Sequence, residues 1–153
     1  MKICIRPALE SEAGKLTEIA FAAKRHWQYP EAFIELWSDE LTVSREYIQS
    51  HAVFCASVAN EVTGWCALSF SGEACELDFL WVLPEKIGYG VGKAMIQHAK
   101  GVFSNSQAET MTVMSGPNAE EFYLKMEFVK VGMHPTKPKG RFLPVLSLRK
   151  ELL

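Results

Sequence analysis

Apolar positions fall three to four residues apart over the first fifty residues and then alternate or run together, so helices are expected early and strands later. Lys2 to Ala8 reads as a short strand ended by Pro7. Ser11 is the expected cap of a helix whose buried stripe is Leu16, Ile19, Ala20, Ala23 and Trp27. Pro30 interrupts, Glu31 to Trp37 reads as a second short helix, and Ser44 can cap a third through Ile48. Ala52 to Val58 and Val62 to Phe70 are β-rich runs joined by a turn at Asn60-Glu61, and Ser71-Gly72-Glu73 turns the chain again into Cys75 to Val82. A helix from about Val91 to Val102 follows, with Val91, Met95, Ala99 and Val102 on one face. Thr110 to Met114 is a strand. Asn118 can cap the next helix with Glu121 three residues on, and Ala119, Phe122 and Met126 form its stripe. Phe128 to Met133 and Phe142 to Leu148 close the chain as strands around a Pro- and Lys-rich loop. This order predicts an α/β, or α+β, fold with a largely antiparallel sheet, and residues 1–153 are expected to form a single domain.

Composition supports a globular chain: 48% of residues are hydrophobic and 22% charged, far from the disordered range. A formal net charge of -2 argues against an electrostatic hold on nucleic acid or on a membrane of anionic lipid. The start has no long apolar segment and no later run approaches spanning length, so a cytoplasmic address is expected. Cys4, Cys55, Cys66 and Cys75 lie in strand-like stretches without a C-x-x-C pair and read as buried thiols. His26, His51, His98 and His134 lack ligand spacing, so no metal is expected.

The segment Lys86-Ile87-Gly88-Tyr89-Gly90-Val91-Gly92-Lys93 carries the most chemical information. Glycines at alternate positions let backbone N–H groups crowd toward one point at a helix start, where the helix dipole adds roughly half a positive charge. That arrangement receives an anion. A nucleotide P-loop would need glycine at Ile87 and Ser or Thr at Ala94, and a dinucleotide fingerprint would need glycine at Lys93 and an opening βαβ unit. A glycine-rich turn without a ligand is the plain alternative.

Leu77 to Met95, with Val82, Pro84, Gly88, Gly90 and Gly92 at their present spacing, resembles the acyl-CoA-binding segment of the GNAT superfamily of acetyl-CoA-dependent N-acyltransferases. Ile5-Arg6-Pro7-Ala8 looks like that family's first strand, Val62 to Phe70 like its third, and Asn118 to Phe128 like its Asn-x-x-x-x-Tyr segment. Asp39-Glu40-Leu41-Thr42 and Gly140-Arg141-Phe142-Leu143-Pro144 look like a bacterial branch. The resemblance implies a GNAT-like fold of about seven strands with helices on both faces, and acetyl-CoA as co-substrate. It further implies that the backbone of Trp81, Val82 and Leu83 pairs with the pantetheine arm, with Leu80 and Val82 lining the groove. Backbone donors of Gly88, Tyr89, Gly90, Val91, Gly92 and Lys93 would hold the pyrophosphate. Two positions depart from the pattern. Ile87, in this cofactor segment, stands where most members carry Arg or Gln, and Glu127-Phe128 stands where the later helix usually ends in Gly-Phe. Either a left-handed turn at Glu127 is strained or the turn there is a different one.

Acyl transfer to a lysine-like amine meets one obstacle at once: with a pKa near 10.4, only about one molecule in 2500 is neutral at pH 7. A base, or a water relayed to one, is needed. Glu76 and Asp78 fall on one face of a regular strand, roughly 7 Å apart, on the strand where the resemblance places the base of many members. A solvated sheet face or an ion pair explains each equally well. The departing thiolate needs a proton, and Tyr123, which matches the family's tyrosine, is the candidate acid; packing beside Phe122 is the bland alternative. Asn118 caps its helix, touches the pantetheine arm, or both. Trp27, Tyr29, Phe33 and Trp37, interleaved with Glu31, Glu35 and Asp39, lie where the family faces its acceptor and would suit a cationic amine, although core packing explains the aromatics as well.

The expected function is N-acetyl transfer to a primary amine, in a small-molecule or peptide acceptor, by direct attack in a ternary complex. A catalytically silent acyl-CoA-binding sensor or partner module, and a nucleotide-binding protein, are the rivals. Pairing into a homodimer is left open.

Overall fold

β1 (Ile3–Pro7) runs antiparallel to β2 (Ala52–Val58), from Ile3 opposite Val58 to Pro7 opposite Phe54, in the computed structural model, which describes residues 1–153. Helices α1 (Ala13–Arg25), α2 (Glu31–Leu36), α3 (Ser38–Leu41) and α4 (Arg45–Ser50) lie between them in sequence. β3 (Glu61–Ser71) and β4 (Ala74–Val82) follow, then α5 (Val91–Ser104), β5 (Thr110–Met114), α6 (Glu120–Lys125), β6 (Val129–Thr136) and β7 (Arg141–Arg149). The seven strands form one sheet in the order β1-β2-β3-β4-β5-β7-β6. β4 and β5 are parallel, while β5–β7 and β6–β7 are antiparallel, so the sheet is mixed and mostly antiparallel.

The chain divides into two compact units, Met1–Ala67 with Phe79–Met95, and Leu68–Asp78 with Ile96–Leu153. In the first, Leu16, Ile19 and Ala20 of α1 meet Ile34, Trp37, Leu41, Val53, Cys55 and Trp65 in a continuous core. Trp65 is fully buried and its indole N–H donates to the Leu16 carbonyl at 2.9 Å, which meets the polar requirement of a buried indole. Each such fully buried side chain contributes about 1.5–3 kcal/mol relative to exposure. In the second unit Leu77, Ile96, Phe103, Met111, Tyr123, Phe128, Leu146 and Leu148 are buried.

The β2–β3 turn shows why the register holds: Ala59 and Asn60 both have positive φ, 52° and 66°, as a two-residue turn matched to strand twist requires. Several local expectations are corrected. Ser11 does not cap α1; it sits inside a short 3-10 turn (Glu10–Glu12), and the carboxylate of Glu12 accepts the Leu9 N–H at 2.8 Å instead. Trp27 is not on the α1 stripe, because the helix ends at Arg25 and Gln28 turns left-handed at φ 59°; its ring packs edge-on against His26. The α5 stripe continues through Ile96 and Phe103 with Val102 only half-buried. Asn118 does not cap α6: a 3-10 turn, Pro117–Ala119, precedes the helix, and Asn118 is exposed within it. Tyr123, rather than Phe122, is the buried residue of α6, and Phe122 is half-buried. Cys4 is exposed, near the end of an outer strand, while Cys55, Cys66 and Cys75 are buried.

Candidate functional site

In the first unit, Leu83 closes β4 with its N–H on the Thr63 carbonyl at 2.8 Å, and Pro84–Lys86 form one 3-10 turn. Gly88 and Gly90 then take φ of +89° and +88°, values that L side chains rarely adopt. A Cβ at either glycine would meet no atom within 4 Å, so backbone conformation and not crowding requires glycine there, and the face in front of the loop is open. The first helical bond of α5 is Ala94 N–H to Gly90 carbonyl at 3.0 Å, which leaves the N–H groups of Val91, Gly92 and Lys93 without intrahelical acceptors. Those donors, at the positive end of a helix of 14 residues, fit a pyrophosphate. The Tyr89 N–H is already engaged, donating to the Lys86 carbonyl at 3.3 Å. Ile87 is exposed and adds no charge.

Leu80, Trp81, Val82 and Leu83 are all half-buried. Gly64 on β3 lets this strand approach closely: a Cβ on it would lie 2.7 Å from the Trp81 carbonyl oxygen, nearer than real Cβ atoms come. Tyr29 and Phe33 pack edge-on against Trp37, with centroids 4.9 and 5.6 Å away, and Trp37 is buried. Lys24 projects its ammonium over the same group, 4.3 Å from the Trp37 ring, 5.0 Å from Tyr29 and 5.9 Å from Trp81. Trp27 lies outside this cluster on His26. Glu31 is bound to Arg25 at 2.9 Å, whereas Glu35 and Asp39 are exposed.

In the second unit, β4 pairs with β5 from Ala74 opposite Thr110 to Leu77 opposite Val113. Cys75 and Leu77 are buried; Glu76 is exposed and Asp78 half-buried, so the two carboxylates share the face away from those apolar side chains. Asp78 accepts a hydrogen bond from the Ser69 hydroxyl at 3.1 Å, which orients its carboxylate. Tyr123 stands edge-on between Phe122 and Phe128, with centroids at 5.2 and 5.5 Å.

The family model for the acetyltransferase (GNAT) domain matches residues 15–144. The chain belongs to the GNAT acetyltransferase family. This GNAT chain is also similar in fold to a PaiA N-acetyltransferase from Thermoplasma acidophilum in complex with coenzyme A, with a TM-score of 0.81, 19% identity, and 97% and 99% of the two chains covered. It is similar to YncA, a putative acetyltransferase from Salmonella typhimurium with its cofactor acetyl-CoA, at TM-score 0.70, 18% identity, and 98% and 95% coverage. The ribosomal-protein-S18-alanine N-acetyltransferase from Escherichia coli aligns at TM-score 0.72, 13% identity, and 97% and 94% coverage. No curated protein matches the chain by sequence.

Burial pushes the thiols of Cys55, Cys66 and Cys75 up to about 12, which favours the protonated form of each at neutral pH. No helix is long and apolar enough to cross a membrane. Reading the sequence missed Lys24, Gly64 and the indole of Trp81. Lys24 had a usable signal: it follows Leu16 and Ala20 at four-residue steps, a charge placed on a buried stripe.

Proposed function

We propose that residues 1–153 work as a single N-acyltransferase domain in the cytoplasm, carrying an acetyl group from acetyl-CoA to a primary amine of a small molecule or peptide by direct attack in a ternary complex. One observation carries this reading: two left-handed glycines lead directly into the N-terminus of a long helix, with open space in front. In it, the backbone donors of Gly88, Gly90, Val91, Gly92 and Lys93 hold the pyrophosphate, and the backbone of Trp81 to Leu83 takes the pantetheine arm as an added strand. Bound acetyl-CoA supplies an activated thioester acyl group. Asp78, oriented by Ser69, or Glu76 takes the acceptor's proton directly or through a water. Tyr123 gives its hydroxyl proton to the departing sulfur, and Asn118 lies beside the arm. Tyr29 and Phe33, both half-buried, face the acceptor, with the buried Trp37 packed against them.

The test is acetyl-CoA-dependent release of free thiol across a panel of amines and peptides, beside the Tyr123→Phe variant. That substitution keeps the ring packed between Phe122 and Phe128, so the melting temperature should hold within about 1 kcal/mol of stability while turnover falls about 10²-fold or more. Equal turnover removes Tyr123 from the mechanism. Ile87, exposed and uncharged beside the anion loop, favours one second reading, a silent acyl-CoA-binding sensor. Acetyl-CoA binding with no release on any acceptor supports it. A homodimer paired along the free edge of β6 fits the exposure of Val129, Val131 and Met133, and sedimentation reads that state directly.

A further inference from the structure

Lys24 ends the buried stripe of α1, and its ammonium lies within 6 Å of three aromatic ring centroids. The rings come from three places: Tyr29 before α2, Trp37 at the junction of α2 and α3, and Trp81 on β4. Tyr29 and Trp37 stand at 90° to one another and form a corner, and the indole N–H of Trp81 is buried without a hydrogen-bond partner. A cation over an aromatic ring is attracted by the ring quadrupole, more strongly once desolvated, so three rings make a receptor for an alkylammonium. Lysine is also the natural occupant to give way: its four-carbon stem is flexible, and holding it in one place costs rotamer entropy. We propose that Tyr29, Trp37 and Trp81 form the cation subsite of the acceptor, filled in the free protein by Lys24, which a cationic acceptor displaces. This rests on the acetyltransferase reading above, and Trp81 connects the two, since its backbone belongs to the segment assigned to the pantetheine arm.

The chemistry of the box narrows the acceptor. Rings stabilise an amine in its charged form, and a protonated nitrogen has no lone pair with which to attack. The nitrogen held in the box is therefore not the one acylated. The acceptor class is an alkylamine with two basic nitrogens, one held as the ammonium and one free to lose its proton to the base.

The test uses n-butylammonium as probe, with n-butanol and matched NaCl as controls, on the full chain labelled with 15N and 13C. In wild-type protein the Lys24 ε-methylene resonance should lie upfield under the ring currents and move to the free-lysine position as the probe is added, while the Trp81 indole resonance shifts with it. The Lys24→Met variant, which keeps the stem and removes the charge, should bind the probe at least tenfold more tightly than wild type, and Lys24→Arg should bind it no better. An unshifted Lys24 resonance, or equal response to n-butanol, overturns the proposal even if Lys24→Met does not fold. The melting shift with acetyl-CoA is measured separately: its absence alongside probe binding refutes the acetyltransferase reading and leaves the cation site standing. Its presence without probe binding does the reverse.

Discussion

Replacing Glu12 by Gln should destabilise the protein at neutral pH and hardly at all in strong acid. Arg6 on β1 grips the Glu12 carboxylate with two parallel hydrogen bonds of 2.8 and 2.7 Å, and the Leu9 N–H adds a third at 2.8 Å. The Arg6 hydrogen bonds, opposed by partial burial and helped by the Leu9 N–H, lower the Glu12 carboxyl from 4.5 to about 2. At 1.36 kcal/mol per tenfold in proton affinity, that drop is worth at most roughly 3 kcal/mol. Because the Arg6 side chain is 41% exposed, screening reduces this to about 1–2 kcal/mol. The sign follows from linkage. Above pH 4.5 the carboxyl is ionised in both folded and unfolded chains and the contribution is complete. As the pH falls, the unfolded chain takes up its proton first, and the contribution drains away until the folded carboxyl is protonated near pH 2. Urea unfolding of wild type and Glu12→Gln from pH 7 to pH 2 measures the gap between them. It should be about 1–2 kcal/mol, or some 2–8 °C in melting temperature, at pH 7 and narrow between pH 4.5 and 2. A gap that is absent at pH 7, or unchanged at pH 2, refutes the reasoning.

Glu127 ends α6 at φ 75°, with the Phe128 N–H returning to the Tyr123 carbonyl at 3.1 Å, so Glu127→Gly should raise stability by about 0.5–1 kcal/mol and the melting temperature by a few degrees. A fall in melting temperature would falsify the account of strain there. Gly64→Ala forces a methyl onto the Trp81 carbonyl and should cost about 1–3 kcal/mol in chemical denaturation, whereas an unchanged midpoint would mean that β3 and β4 separate freely. Gly90→Ala strains the loop at φ +88° by about 1–2 kcal/mol and should weaken acetyl-CoA about tenfold by calorimetry; unaltered affinity would remove the loop from phosphate binding.

Element type was legible wherever a local rule decided it. Thr110–Met114 is a strand with the expected bounds, and Ser44 caps its helix through a 3.0 Å bond from the Tyr47 N–H, because both depend on neighbours in sequence. The glycine loop was legible for the same reason: positive φ is a demand of the backbone that only a few residue types meet without strain, and it shows as glycine. Glu127 shows the converse: of a strained left-handed turn and a different turn, both open from the sequence, the chain takes the left-handed one without glycine.

Other features exist only once distant segments meet. Ser11 and Asn118 satisfied the rule for caps but lost the position to 3-10 turns, since the Arg6 pairing with Glu12 and the placement of Tyr123 in its core outweigh one side-chain hydrogen bond of about 1 kcal/mol. Sequence alone thus determined the order of the strands, the membership of the family and the glycine-rich loop, all of which are written in local spacing, whereas the short helix α3 was not legible in it. Tertiary structure alone decided which side chain of α6 is buried, how closely Gly64 lets Trp81 approach, and that Lys24 rests among Tyr29, Trp37 and Trp81, because packing energy depends on distance in space and residues up to fifty-seven positions apart share that box.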